Sequence, residues 1–279
     1  MDSVRKSALV TGVLYIVTFV TSIPALGLYG PVLNDSHYIL GTAADTRIFA
    51  GAFLEVLLAI SGIGTAVAIF PVVKRQNEGI ALGYVAARIV ESTIIAVGIV
   101  SLLAVVTMRR DFAGSGGTDA TTLVIAGKTL VAIHKWTFLL GPGYCAGIES
   151  GLLLGYLMYR SGLVPRPIAV LGLVGGTLAF AAATAELFGL FSQVSPAAFI
   201  LVLPEALFEA AIGLWLTFKG FRPSPITAAM TRSAGSSVVP GPSHSPAFDL
   251  VEAGDRVAHV PRVGQRLLSP SLRARPRVA

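Results

Sequence analysis

Charge is what this sequence has least of. Only 13% of its 279 residues are Asp, Glu, Lys or Arg, about half the share of roughly 25% found in soluble domains. A water-soluble fold of this size could not hide the apolar surface that remains, which excludes an ordinary soluble enzyme or binding domain. Cysteine is nearly absent. Cys145 is the single one, so no intrachain disulfide forms. Also missing are a histidine pair at metal-ligand spacing, a Gly-rich phosphate loop and a nucleophile elbow. No catalytic residue, cofactor or metal is therefore expected, and the chain reads as a non-enzyme. The net charge of +6 would suit nucleic acid in another setting. Here Lys and Arg sit in short clusters between apolar runs or near the C-terminus, so no nucleic-acid partner is expected.

What is abundant is apolar, at 54% of the residues. Six stretches, at 7–28, 48–73, 79–107, 136–158, 167–191 and 196–218, are long enough to span. Each meets the roughly 20 residues that a hydrocarbon core of about 30 Å requires. Alternating ten-residue segments of a strand barrel are absent. The fold class is all-α, an integral membrane bundle of about six transmembrane helices, with the lipid bilayer as its first partner. The apolar stretch 121–133 is short and broken by Lys128, and reads as an amphipathic helix leading into the fourth span. Arg5 and Lys6 precede an apolar run longer than a signal peptide's core, so the first span is expected to be a retained anchor.

Basic residues set the expected orientation. Arg5, Lys6, Lys74, Arg75, Arg160, Arg166, Lys219 and Arg222 lie close to span ends on one side. Arg47, Arg109, Arg110, Lys128 and Lys135 are spread over longer loops on the other. The bias places the chain in the plasma (inner) membrane with both termini cytoplasmic. After residue 220 the composition turns rich in Pro, Ser, Gly and Arg, with no sustained apolar period. Two regions follow: a six-helix domain over 1–220 and a basic tail over 221–279 that is expected to be disordered.

Ionisable residues inside a membrane are costly and usually face a partner, water or the bundle interior. The predicted spans hold Glu55, Arg88, Glu91, Glu149, Glu186, Glu205 and Glu209, six acids against one guanidinium. Glu55 shares a helix face with Gly51, Ala59, Gly62 and Ala66, small residues that let helices approach. Tyr84, Arg88, Glu91 and Ser92 form one polar face of the third span, and Glu205 and Glu209 one of the sixth. Glu186 continues a small-residue face through Gly172, Gly175, Ala179, Ala182 and Ala183. In the fourth span Gly143, Gly147, Gly151 and Gly155 form a close-packing stripe, and Glu149 projects from the opposite side. Arg88 is expected to pair first with Glu55 and next with Glu91. These seven residues are the candidate polar core, with the capacity of an ion or proton site. His134 and Trp136 read as anchors at the membrane interface.

Several stretches carry a resemblance. They are Arg5-Lys6-Ser7-Ala8-Leu9 running into Gly12-Val13-Leu14-Tyr15, then Ser22-Ile23-Pro24; Phe70-Pro71-Val72-Val73-Lys74-Arg75; Gly83-Tyr84 with Arg88 and Glu91-Ser92; His134 and Trp136 before Gly141-Pro142; and Tyr159-Arg160-Ser161-Gly162-Leu163-Val164-Pro165-Arg166. Together they resemble the bacterial membrane proteins grouped as domain of unknown function 4386, over roughly residues 1–220. The resemblance implies a prokaryotic multi-helix membrane protein and supplies no activity. Two function classes stay open. The favoured one is a non-enzymatic structural, sensory or partner-stabilising bundle, with a homo-oligomer or another membrane protein as admissible partners. The alternative is a small proton-coupled permease that uses the intramembrane glutamates on a small-molecule substrate of unknown identity. A water-accessible path from Glu91 toward Glu205 favours transport, and a dry, fully paired core favours the first.

Overall fold

Long apolar runs without water to satisfy their backbone must close their hydrogen bonds within each helix, and the chain does so. The computed structural model describes residues 3–41, 45–112 and 119–236. Its elements are α1 (Ser3–Leu28), α2 (Gly30–Asn34), a 3-10 turn (Tyr38–Leu40), α3 (Thr46–Val73), α4 (Glu78–Phe112), α5 (Ala120–Phe138), two wide-turn segments (Leu139–Cys145 and Gly147–Leu154), α6 (Gly155–Ser161), α7 (Arg166–Leu187), α8 (Pro196–Phe218) and α9 (Pro225–Ser236). Among the described residues there is no strand. Six helices are long and apolar enough to cross a membrane, with α5 through α6 forming one such unit over Ala120–Ser161. The chain is a membrane-embedded, multi-pass helical bundle.

The helices pack chiefly on their neighbours in the order α1, α3, α4, the Ala120–Ser161 unit, α7 and α8, and α8 returns to α1. Small residues set the closest approaches. A Cβ on Gly12 would lie 2.5 Å from the Thr217 backbone nitrogen, so α1 and α8 meet nearly backbone to backbone there. Arg5 locks the same end by donating to the Leu216 carbonyl at 2.9 Å and the Thr217 carbonyl at 2.8 Å. These carbonyls lack helical partners at the end of α8, so a cation beside them also suits the helix dipole. Gly147 and Gly151 lie against Gly176, and Gly155 lies 3.2 Å or more from the Gly172–Leu173 backbone by the same measure. Gly143 does not join this contact. Its nearest neighbours are its own helix's Leu139 and Phe138, so the tight stripe begins one turn later than the sequence spacing suggests.

The apolar interior has two large parts. At the end that carries the basic turns, Ala8, Ile69, Val72, Val73, Leu157, Met158, Ile212 and Leu216 are buried together. At the opposite end Tyr29, Val32, Tyr38, Ile39, Ile48, Leu102, Val105 and Val106 form a cap. The 42-residue unit is about twice the roughly 20 residues that a 30 Å core requires, so it overshoots that core. Its first turns, with the end of α4, build this cap. The stretch 121–133 is accordingly the start of the spanning helix itself. Part of the tail departs from its expected disorder. Pro225–Ser236 is helical, and Ile226 and Met230 pack against the basic-end core. Two apolar side chains one turn apart gave α9 a surface to bury. The remainder of the tail, 237–279, with its arginines, lies outside the described residues.

Candidate functional site

The polar faces of α4, α8 and the Gly147–Leu154 segment meet at Arg88. This residue is ten positions into α4, about 15 Å from its start. Its Nη1 lies 2.7 Å from Glu91 Oε2 and 2.7 Å from Glu149 Oε1, and its Nη2 lies 3.2 Å from Glu209 Oε1. Nη2 also donates to Ser150 Oγ at 3.0 Å. Arg88, Glu91 and Glu149 are buried. Removing charges from water is expensive unless they pair with good geometry, and one guanidinium here faces three carboxyls. The cluster is therefore acid-rich.

Below Arg88, toward the basic end, a file of hydroxyls continues. The guanidinium carbon stands 5.4 Å from the centre of the Tyr15 ring. Tyr15 and Tyr84 share a hydrogen bond of 2.9 Å, and Tyr84 and Thr65 one of 3.3 Å. Thr65 spends its single proton on the Gly62 carbonyl at 2.6 Å, which leaves Tyr84 to donate to Thr65 and Tyr15 to donate to Tyr84. Below this file lies the apolar core at the basic end.

Above Arg88 the interior opens. A cavity of about 370 Å³ is lined by residues of α1, α3, α4, α5, the Leu139–Cys145 segment with Ala146, and α8, and it reaches Glu55, Arg88, Glu91, His134, Glu205 and Glu209. Three of the four acids on its wall are engaged. Glu91 and Glu209 face Arg88, and Glu55 accepts from the Tyr29 hydroxyl at 2.8 Å. Glu205 is different. It is 2% exposed, and neither carboxyl oxygen has a hydrogen-bond partner. Its backbone is fixed by the α7–α8 crossing, where a Cβ on Gly175 would lie 2.6 Å from the Glu205 nitrogen.

The structure thus brings together Arg88, Glu91, Glu149 and Glu209 directly, and Glu55, His134 and Glu205 around the same cavity. Three expectations are corrected. Glu55 is not the first partner of Arg88, because Tyr29 reaches across from the end of α1 and takes its carboxyl. Glu186 is not part of the polar core, since it lies one residue from the end of α7 and is partly exposed. His134 is not an interface anchor. It is 4% exposed, packs edge-on against Tyr29 with ring centres 5.5 Å apart, and has Nδ1 3.3 Å from the Gly98 carbonyl. The helix starts at Ala120 and so carries His134 inside, while Trp136 stays 52% exposed. Ser150 and Tyr29 were missed. Ser150 adjoins Glu149 in the sequence, which was a usable signal, whereas nothing local marks Tyr29.

A second charged group lies beyond α3 and the end of α4. Asp45 is 2.7 Å from Arg109 Nη1 and 2.8 Å from Arg110 Nε, and accepts from the Tyr38 hydroxyl at 2.9 Å. Burial pushes its carboxyl up, but the hydrogen bonds of Arg110 and Tyr38 and the two guanidinium charges prevail and hold it below the usual aspartate range. This group ties the cap together outside the membrane-spanning part. Among the described residues no group of three or more His, Cys, Asp or Glu is placed to hold a metal ion.

The stretches that carry the resemblance fall on this architecture, with Arg88 and Glu91–Ser92 at its centre. The family described as "Domain of unknown function (DUF4386)" matches residues 10–220, which is most of the chain. The chain belongs to that family. The DUF4386 match ends with α8 and includes every residue of the Arg88 cluster. No curated protein and no solved structure matches the chain significantly. The activity must therefore be argued from the site.

Proposed function

We propose that this protein is a small proton-coupled permease whose working groups are the intramembrane glutamates around Arg88. The observation that carries this reading is the asymmetry of the interior. A cavity reaches Glu91, Glu205 and Glu209 from one half of the bundle, and the other half is filled by buried apolar side chains. A merely structural polar core gains most when every buried group is paired, because an unpaired buried carboxyl is unfavourable. Glu205 has no hydrogen-bond partner and lies at the cavity wall. That favours the transport reading over a structural, sensory or partner-stabilising bundle. No catalytic step is part of the proposal. The bias of basic residues supports placement in the inner membrane with both termini cytoplasmic, so the cavity belongs to the outer half.

A coupling carboxyl must alternate between holding a proton and releasing it. A pH jump applied to reconstituted protein on a solid-supported membrane should therefore displace charge transiently. Glu205→Gln keeps the side-chain volume but cannot exchange a proton, and should remove most of that signal. A silent wild-type protein, correctly folded in the membrane, would sink the proposal.

A further inference from the structure

The cavity has four exposed wall residues, and they share one location. Ile23 and Leu26 on α1 are 67% and 45% exposed, and Phe199 and Val202 on α8 are 69% and 39% exposed. Toward the basic end α1 and α8 are held in close contact through Gly12, Gly213 and Thr217. Toward the other end these four apolar side chains face outward and line the cavity at once. Above the cavity lies the buried cap with Tyr29 and Leu102, and below lies the Tyr15–Tyr84 file. Side chains of this kind on a spanning helix meet lipid. The rim between α1 and α8 is thus a sideways mouth toward the bilayer.

The inner wall has a definite charge. Glu91 and Glu209 already outnumber the Arg88 guanidinium they face, and Glu149 behind it adds a third carboxyl. His134 has one ring nitrogen against a backbone carbonyl and packs on Tyr29. Glu205 lines the same cavity, 2% exposed, with neither carboxyl oxygen hydrogen-bonded and Oε2 set beside Gly151. An anion entering here would meet excess acid. A cation would give Glu205 the partner that the fold does not supply.

We propose that the substrate is a lipophilic organic cation, which enters from the bilayer between α1 and α8 and is held by Glu205. The apolar rim admits its hydrocarbon body, and the carboxylate takes its positive centre. Binding to the protonated carboxyl releases one proton, so one cation entering exchanges for one proton leaving. This inference rests on the permease reading and names its substrate class.

Two ions of nearly equal shape and opposite charge test it, tetraphenylphosphonium and tetraphenylborate. Equilibrium binding of each to purified protein in lipid nanodiscs should be corrected for empty discs. Tetraphenylphosphonium should bind saturably and release about one proton per site in unbuffered solution, while tetraphenylborate shows no saturable component. Glu205→Gln should weaken the cation at least tenfold and abolish the proton release. Val202→Trp, which narrows the rim and leaves Glu205 untouched, should slow association. Equal binding of the two ions to wild-type protein overturns the proposal whether or not either variant folds. So does undiminished cation binding by a folded Glu205→Gln protein. The two readings separate cleanly. A pH-jump current without cation binding ends this inference and leaves the permease standing, whereas cation binding without current keeps the site and ends proton coupling.

Discussion

Arg88 controls the interior because four groups depend on it. Replacing it with Leu leaves Glu91, Glu149 and Glu209 facing one another with no cation, and leaves the Ser150 hydroxyl only its longer 3.4 Å bond with Tyr15. Breaking a buried pair costs about 3–5 kcal/mol, and a similar loss is expected for Arg88→Leu in unfolding experiments in mixed micelles. Glu149 is the partner with no exposure at all, so its charge depends most on the guanidinium. A double-mutant cycle should show coupling between Arg88→Leu and Glu149→Gln, and none between Arg88→Leu and Glu55→Gln. Coupling to Glu55 alone would contradict the observed geometry. This ranking was not legible in the sequence. Glu55 sits on the small-residue face of a neighbouring span and looked like the natural partner. What decided otherwise was Tyr29, twenty-six positions away and beyond the end of α1. Partners that arrive from another helix's terminus leave no periodic trace.

At the scale of elements, the glycines of the Gly147–Leu154 segment and α7 decide how close two helices come. A methyl on Gly151 would collide with Gly176 and would reach 2.5 Å from Glu205 Oε2. A methyl on Gly143 would meet nothing closer than 3.4 Å. Gly151→Ala should therefore lower stability by about 1–3 kcal/mol, the usual cost of overpacking, and Gly143→Ala should be nearly neutral. Thermal unfolding of the two purified variants checks this, and equal effects would refute the distinction. The repeat of four glycines was legible, as was Glu149 on the opposite side. The register was not, because Pro142 lacks an N–H and the following turns are wider than 3.6 residues. The Asp45 group makes a separate prediction for the cap. Its folded carboxyl lies below the unfolded value. Its contribution to stability is thus complete above the unfolded value of about 3.9 and is lost as pH falls through the lower folded value. Asp45→Asn should flatten the acid limb of the stability curve below about pH 4 and leave the curve's shape at neutral pH unchanged. An unaltered acid limb would show that Asp45 does not carry it.

The whole molecule divides into a cap, a cavity, a charged floor and a dry base, and this division was only half legible. The six spans could be read from run length alone, since hydrocarbon thickness fixes that length physically. Which residues border empty space could not, because a cavity is a property of packing and has no sequence period. If the protein is a permease, the dry base must open at some stage of its cycle, as the cavity now stands on one side only. Two small residues report on this. Ala146 lines the cavity, and Ala66 is fully buried in the basic-end core beside Thr65. With Cys145 first replaced by Ala, the chain has no other thiol. Ala146→Cys should then react readily with a membrane-permeant maleimide in resting vesicles, while Ala66→Cys should be at least tenfold slower. Imposing a pH gradient in the presence of tetraphenylphosphonium should raise the rate at Ala66→Cys and lower it at Ala146→Cys, because the two halves cannot be open together. Labelling that stays fixed at both positions under the gradient, in protein that binds the cation, would mean that the bundle holds its ligand without moving it.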